Sequence, residues 1–372
     1  MGFSAILKKE TIKLIIIVRK ENGQKARFWP FGRTAKQEEQ MKEIHISDIE
    51  GFRIGHAQDE KGATGCTAII CEEGAVSGCD VRGGGPATRE TPLLDPVKNA
   101  GVIHCVMLSG GSAFGLAAGD GAMSYLEEHG IGYKLGDFTI PLVVGASIFD
   151  LAIGERGIRP DKEMGHAACA AAFSNNAEDV AAKELQGNIG AGLGATVGKI
   201  NGPLHAMKSG LGIYACESDG VKCAAIAVVN ALGDVKDDGR IIAGCHDNNG
   251  GFEDSAKVLW GRVHDEMMIN RENTTLVCFI TNAKITKSEA NKVAQVMHDG
   301  LGITISPVHT SADGDTTFCM ASGKTRVNSD ALAAIAVEAT RKAIVNAVLK
   351  TESAYGLPAA NDIKEMENRE NK

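Results

Sequence analysis

Arg271-Glu272-Asn273-Thr274-Thr275-Leu276 runs directly into Val277-Cys278-Phe279-Ile280, and the reading of this stretch organises the rest of the chain. The apolar run has the length and residue types of a buried strand. The Asn-Thr pair at its mouth is a place where a chain can cut itself and expose a new N-terminal threonine. A threonine hydroxyl beside a free α-amine is a nucleophile that carries its own base. The amine suits the task because its ordinary pKa is roughly 8, so it accepts a proton near neutrality. The plainer reading is a turn entering a β-segment, the usual meaning of Asn-Thr-Thr ahead of a strand.

Composition narrows the choice. The chain has 372 residues, 44% apolar and 23% charged, which suits a folded domain with a full core rather than a disordered segment. Its net charge of −8 argues against nucleic acid as a partner. The 45 glycines cluster, as expected where loops and close backbone approaches build a site. Ten cysteines form no C-x-x-C pair and several lie in apolar runs. They read as reduced core residues of a cytoplasmic protein. No run is long enough for a membrane span.

Residues 1–40 differ from the rest, with nine Lys/Arg against four Glu. This basic extension reads either as a segment preceding the native start at Met41 or as a disordered basic tail, with a single domain over 41–350 and a polar tail over 351–372 expected to fray. Downstream of the Thr274 strand, Thr286-Lys287-Ser288-Glu289 is a capping box for a helix to Asp299, stopped by Gly300, with Val293, Ala294 and Met297 on its inner face. Asp313-Gly314-Asp315 then leads into a strand over 316–321, and a last helix covers 330–349.

Upstream, 221–229 reads as a strand delivering Asn230 at its end, followed by a long polar connector over 234–272. Residues 52–54, 66–71 and 102–108 read as strands, and 161–186 as an Ala-rich helical region broken near Ser174. Asp80-Val81-Arg82-Gly83-Gly84-Gly85-Pro86 makes a sharp loop. Ser112 is the expected N-cap of a helix through residue 126, closed by Gly130. Three motifs are decoys. A nucleophile elbow needs G-x-S-x-G, and Phe114 takes its last position. The G-x-G-x-x-A at 190–195 follows helix rather than strand, and Ser322-Gly323-Lys324-Thr325 has Phe318 where a phosphate loop needs glycine.

Laid out in order, these pieces resemble the P1 family of self-processing hydrolases, the group of L-aminopeptidase/D-esterases and β-peptidyl aminopeptidases. The resemblance rests on Asp80-Val81-Arg82-Gly83-Gly84, Thr88-Arg89-Glu90-Thr91, Ser109-Gly110-Gly111-Ser112-Ala113-Phe114-Gly115-Leu116, Gly187-Asn188-Ile189-Gly190-Ala191-Gly192, Lys208-Ser209-Gly210-Leu211-Gly212, Asn230-Ala231-Leu232-Gly233-Asp234, Asn273-Thr274-Thr275 and Asp313-Gly314-Asp315. It implies an α+β fold, an αββα sandwich layered like the N-terminal-nucleophile (Ntn) hydrolases but differently connected. It also implies cleavage at Asn273–Thr274, Thr274 as nucleophile, Asp313 and Asp315 beside it, and a homo-oligomer of paired fragments.

The oxyanion formed on attack needs a fixed donor, and the side-chain NH₂ of Asn230 is the candidate. Ser112, Arg82, Phe149 and Ala146 are candidates for the substrate pocket. Ala146 stands where amine-selective members place an acid, and Phe149 where some place an oxyanion-binding tyrosine, so the expected substrate is a small peptide or amide of open selectivity. Arg82, Arg89 and Glu90 fit a structural ion-pair network equally well. No cofactor is expected, and no metal, since no histidine or further acid joins the Asp-x-Asp pair. Two other readings stand beside hydrolysis: acyl transfer of the ornithine acetyltransferase type, and a non-catalytic scaffold.

Overall fold

The computed structural model describes residues 41–174, 185–247, 251–265 and 273–362. Its longer strands are β1 (Arg53–Asp59), β2 (Thr64–Val81), β3 (Ile103–Ser109), β4 (Val143–Ser147), β5 (Leu211–Ser218), β6 (Val221–Asn230), β7 (Thr274–Lys284) and β8 (Thr316–Arg326). The helices are α1 (Ala118–Glu128), α2 (Lys162–Ser174), α3 (Ser255–Trp260), α4 (Lys287–Thr304) and α5 (Ser329–Leu349).

The strand β2 joins two sheets. Its first half pairs antiparallel with β1 and β3, and its second half pairs antiparallel with β8. Between them the register shifts, Glu72 and Glu73 are exposed, and Gly74 takes φ +82°. Glycine enters that region without a Cβ penalty, so the strand bends there and continues into the second sheet. One sheet is thus β1, the start of β2, β3 and β4; the other runs β5-β6-β7-β8 to the end of β2.

Each sheet contains one parallel pair, β3 with β4 and β7 with β8. A parallel pair needs a crossover, and α1 and α4 lie in these two connections. The second helix of each layer, α2 on β1 and β2 and α5 on β5 and β6, completes the outer cover. Side chains alternate accordingly. Val106, Leu108, Leu276, Cys278, Ile280, Phe318 and Met320 fill the core between the sheets, while Cys105 and Met107 meet α1 and α2. The result is helix, sheet, sheet, helix.

The glycine and alanine content follows from how closely the helices approach. A Cβ on Gly55 would stand 2.3 Å from Ala168 O and Ala172 N of α2, and one on Gly212 would stand 2.0 Å from Ala343 O of α5. Only small residues permit such contact. All ten cysteines are free, nine of them buried and Cys79 half-buried. Among the described residues no helix is long and apolar enough to cross a membrane.

Several sequence expectations change here. Ser112 has φ +54° and opens a 3₁₀ turn, Ser112–Ala117, so it caps nothing and α1 starts at Ala118. Gly130, at φ +69°, does close α1 as expected. The capping box at Thr286 forms, with Glu289 N–H on Thr286 Oγ1 at 3.2 Å and Thr286 N–H on Glu289 Oε2 at 2.8 Å. Gly300, however, does not stop α4. A Cβ there would lie 2.8 Å from Val337 O, so the glycine serves the α4–α5 crossing. The 234–272 connector contains the strand pair Asp234–Asp237 and Arg240–Ala243, then α3. The tail is packed through residue 362: Ala359 and Ala360 are buried, and Lys208 N–H bonds Pro358 O at 2.9 Å. Residues 1–40, 175–184, 248–250, 266–272 and 363–372 lie outside the described residues.

Candidate active site

Three motifs far apart in sequence converge because each sits at a strand end on one edge of the second sheet. Asn230 closes β6 and Thr274 opens β7, and the two are directly paired. The Asp313-Gly314-Asp315 loop precedes β8, and Asn273 forms a bridge with Asp313. Asn230, Asn273, Thr274, Asp313 and Asp315 are all buried.

The hydroxyl of Thr274 hydrogen-bonds the carbonyl of Asn273. The same carbonyl accepts the Gly314 N–H at 2.9 Å. A main-chain donor on this oxygen is placed to stabilise the charge that would develop there during attack on the carbonyl carbon. Residue 314 has no room for a side chain, since a Cβ would fall 2.7 Å from Thr274 Oγ1.

The two acids do different things. Asp315 Oδ1 accepts the Thr275 N–H at 2.7 Å, which ties the carboxylate to the residue after Thr274. Asp313 Oδ2 accepts Thr310 N–H at 2.8 Å and Thr310 Oγ1 at 2.6 Å. Burial, and then the charge of Asp315, push Asp313 up to about 6. Desolvation and a like charge both disfavour its ionised form. The Gly83-Gly84-Gly85 run lies against this loop. Gly85 N–H bonds Asp313 O at 2.8 Å, and a Cβ on Gly83 would stand 2.3 Å from Asp315 N.

Asn230 is engaged at both ends of its amide. Oδ1 accepts Thr196 N–H at 3.0 Å and Lys199 Nζ at 2.8 Å, and Nδ2 donates to Phe149 O at 2.8 Å. Lys199 Nζ also reaches the Asn230 main-chain O at 3.0 Å. A cation on the amide oxygen polarises the group and strengthens its N–H donors. Lys199 went unmarked in the sequence because it follows a glycine-rich run whose dinucleotide-site reading failed. Its one signal is a lysine immediately after Gly194-Ala195-Thr196-Val197-Gly198.

A cavity of about 480 Å³ opens beside Asn273. Phe149, Ile153, Ile200, Leu232 and Leu259 form its apolar wall, and Lys199, Asp150 and Arg262 supply charge. Asp150 is pushed up to about 6 by burial, although Thr64 Oγ1 at 2.6 Å and Gly111 N–H at 2.7 Å both donate to it.

Of the four pocket candidates, Phe149 alone lines this cavity. Ala146 lies in the core between the sheets, paired with Leu108 and Thr88. Ser112 is held by its N–H on Ile148 O and does not line the cavity. Arg82 is turned to Asp80 at 3.0 Å and to Gln295 O at 2.8 Å, with its side chain 41% exposed. Arg89 pairs with Asp120 at 2.6 Å. These arginines form ion pairs away from the cavity.

A two-sheet sandwich between helical layers is the architecture of the Ntn-hydrolase class of fold. Solved structures share it. The L-aminopeptidase D-Ala-esterase/amidase of Ochrobactrum anthropi, a variant of the Ntn hydrolase fold, matches with a TM-score of 0.63 at 17% identity, over 87% of this chain and 92% of its own. A Burkholderia sp. β-aminopeptidase matches with a TM-score of 0.62 at 18% identity, over 87% and 93%.

The chain itself belongs to peptidase family S58, whose family model matches residues 45–360. It is 34% identical over 339 residues to an uncharacterized aminopeptidase of Mycobacterium leprae, covering 84% of this chain and 92% of that one. It is 29% identical over 317 residues to a 6-aminohexanoate-oligomer endohydrolase of Kocuria sp., covering 81% and 84%. Membership and relatives together support an aminopeptidase or amide hydrolase.

Proposed function

We propose that the chain is a self-cleaving N-terminal-threonine hydrolase of amide or peptide bonds, of the P1 type. The observation that carries this is the Asn273 carbonyl, which meets the Thr274 hydroxyl on one side and the Gly314 N–H at 2.9 Å on the other. Thr274 Oγ1 adds to the Asn273 carbonyl carbon, and Gly314 N–H, with Asn230 as the side-chain candidate, stabilises the oxyanion. The Asn273–Thr274 C–N bond breaks, the Thr274 nitrogen takes the hydroxyl proton, and an ester remains. Water hydrolyses that ester to leave the Asn273 carboxylate and a free Thr274 amine. In turnover the amine accepts the Thr274 Oγ proton as the oxygen attacks the substrate acyl carbon. The leaving amine takes a proton, and water clears the acyl ester.

Cleavage does not release the fragments, because β7 stays inserted between β6 and β8. The fragment ending at Asn273 and the one starting at Thr274 share one sheet. The same reading takes the hydrolase domain from residue 41 through the packed segment ending at 362, a homo-oligomer of such pairs as the assembly, and the cytoplasm as the setting, which the free thiols support. Amides are the expected substrates; relatives named as aminopeptidases and as an oligoamide endohydrolase support that.

N-terminal sequencing and intact mass of the purified protein are expected to find two fragments, the second beginning at Thr274. Thr274→Ala is expected to give a single uncut chain without hydrolase activity. A cut and active T274A protein would overturn the assignment.

A further inference from the structure

The carboxylate tied to the nucleophile strand is itself held by a histidine. Asp315 Oδ2 accepts the His309 N–H at 3.1 Å and lies 2.8 Å from His309 Nδ1, while its Oδ1 takes the Thr275 N–H at 2.7 Å. An ionised carboxylate only accepts, so Nδ1 carries the proton in this pair. His309 achieves both contacts at φ +57°. A non-glycine residue in that region is strained, and such strain persists where surrounding structure holds it. The ring is pinned edge-to-face against His298, with centroids 4.7 Å apart at 76°. His298 is buried, with Nε2 3.3 Å from both Asp80 O and Thr317 Oγ1. Its burial, then His309, hold it down to about 4, so it is a neutral wall near pH 7.

We infer that His309 is a positioning residue for the reaction proposed above: two donors on one oxygen of Asp315 turn the other oxygen onto the Thr275 N–H and so fix where Thr274 stands. This rests on the Thr274 reading. His309 makes its contacts to Asp315, not to the Asn273–Thr274 peptide. Its effect passes through a carboxylate whose terminal torsion is intrinsically broad, and whose neighbour Asp313 is a second acid. Without the imidazole, Oδ2 keeps the main-chain N–H of residue 309 but loses its side-chain donor, and the neighbouring Thr310 hydroxyl is already committed to Asp313 Oδ2 at 2.6 Å.

Three substitutions in the full-length chain separate positioning from folding, read by the first-order rate at which the Thr274 N-terminus appears after cell-free synthesis. His309→Ala removes the side-chain donor and keeps the backbone strain. His309→Gly removes the donor and relieves the strain. His309→Asn keeps an N–H where Nδ1 stands and tolerates the left-handed backbone. The Ala and Gly proteins are expected to cut about 10- to 100-fold more slowly, the factor that follows from losing a hydrogen bond to a charged group. The Asn protein is expected to recover most of that loss.

A folded H309G chain that cuts at the wild-type rate overturns the inference, and so does an H309N chain as slow as H309G. Should H309A fail to fold, the Gly and Asn proteins decide. An H309N chain that cannot fold also counts against it, because His309 then serves the fold rather than the site. A wild-type chain that never exposes Thr274 is a separate result, which removes the self-cleavage reading itself.

Discussion

The two flanks of Thr274 are built on opposite principles. On the loop side, the packing is close: Gly83 and Gly85 lie against residues 313–315, Gly314 leaves no space for a methyl group beside Oγ1, and both acids accept hydrogen bonds from the loop and from β7. On the β6 side, the structure opens into a cavity of about 480 Å³ with apolar walls and a few charged groups. The closed flank offers fixed donors and acceptors at the Asn273–Thr274 peptide, whereas the open flank offers space of the size that takes a small ligand. Under the proposed reaction, preorganisation and substrate accommodation fall to different neighbours of one residue. Changes on the closed flank should alter the rate of bond making, and changes on the open flank should alter which acyl groups are accepted.

The most damaging test of this contrast, after loss of the Thr274 hydroxyl itself, is Gly314→Ala. A methyl group 2.7 Å from Oγ1 must displace the hydroxyl or the loop. A misplacement of about 1 Å at a reacting centre costs on the order of a hundredfold in rate, so self-cleavage is expected to slow by about that factor in a quench-flow or gel time course. A G314A chain that cuts normally would show the closed flank to be looser than drawn.

Asp313→Asn comes next. With Asp313 held up to about 6 by burial and by Asp315, it gains a proton as pH falls through that value. If the carboxylate form supports the reaction, the wild-type rate at pH 5 is expected to be about a tenth of that at pH 7, and D313N should lack this acid limb. The sign for stability is the reverse. The folded-state value lies above the unfolded one, so Asp313 favours folding fully below about pH 4, and that contribution is lost as pH rises through about 6. Urea titrations at several pH values should find this slope in the wild type and not in D313N.

Leu259→Ala probes the open flank. Enlarging an apolar wall is expected to raise KM for amides with apolar acyl groups by up to about tenfold, with a much smaller effect on the cleavage of the chain by itself. Equal effects on both would erase the distinction between the flanks. Smallest of all should be Arg82→Ala. Its pair with Asp80 is partly exposed, and such pairs contribute at most about 1 kcal/mol; steady-state rates are expected to stay within about twofold.

The β7 strand, the capped helix α4 and the placement of Asn230 at a strand end were all legible because they depend on local periodicity and on side chains that bond a few residues away. Where a distant partner decides the conformation, local signals misled. Gly300 looks like a stop and is a helix crossing; Ser112 looks like a cap and sits at φ +54° under the chain at Ile148. Ala146 shows why a residue aligned to a pocket position need not line one: a strand residue faces whichever side its register dictates, and here that is the core.

Read by itself, the chain determined its strands, their ends and the hydroxyl at one of them, because those are properties of short windows; the four-layer sandwich and the carboxylates beside Thr274 came with the family resemblance. The tertiary structure alone decided what surrounds Thr274. Lys199 and His309 reach the site through partners 31 and 6 residues away, and the donor on the Asn273 carbonyl is a main-chain N–H that any residue type but proline possesses. No letter in the sequence marks such a donor; only the folding of two strand ends onto one loop aims it.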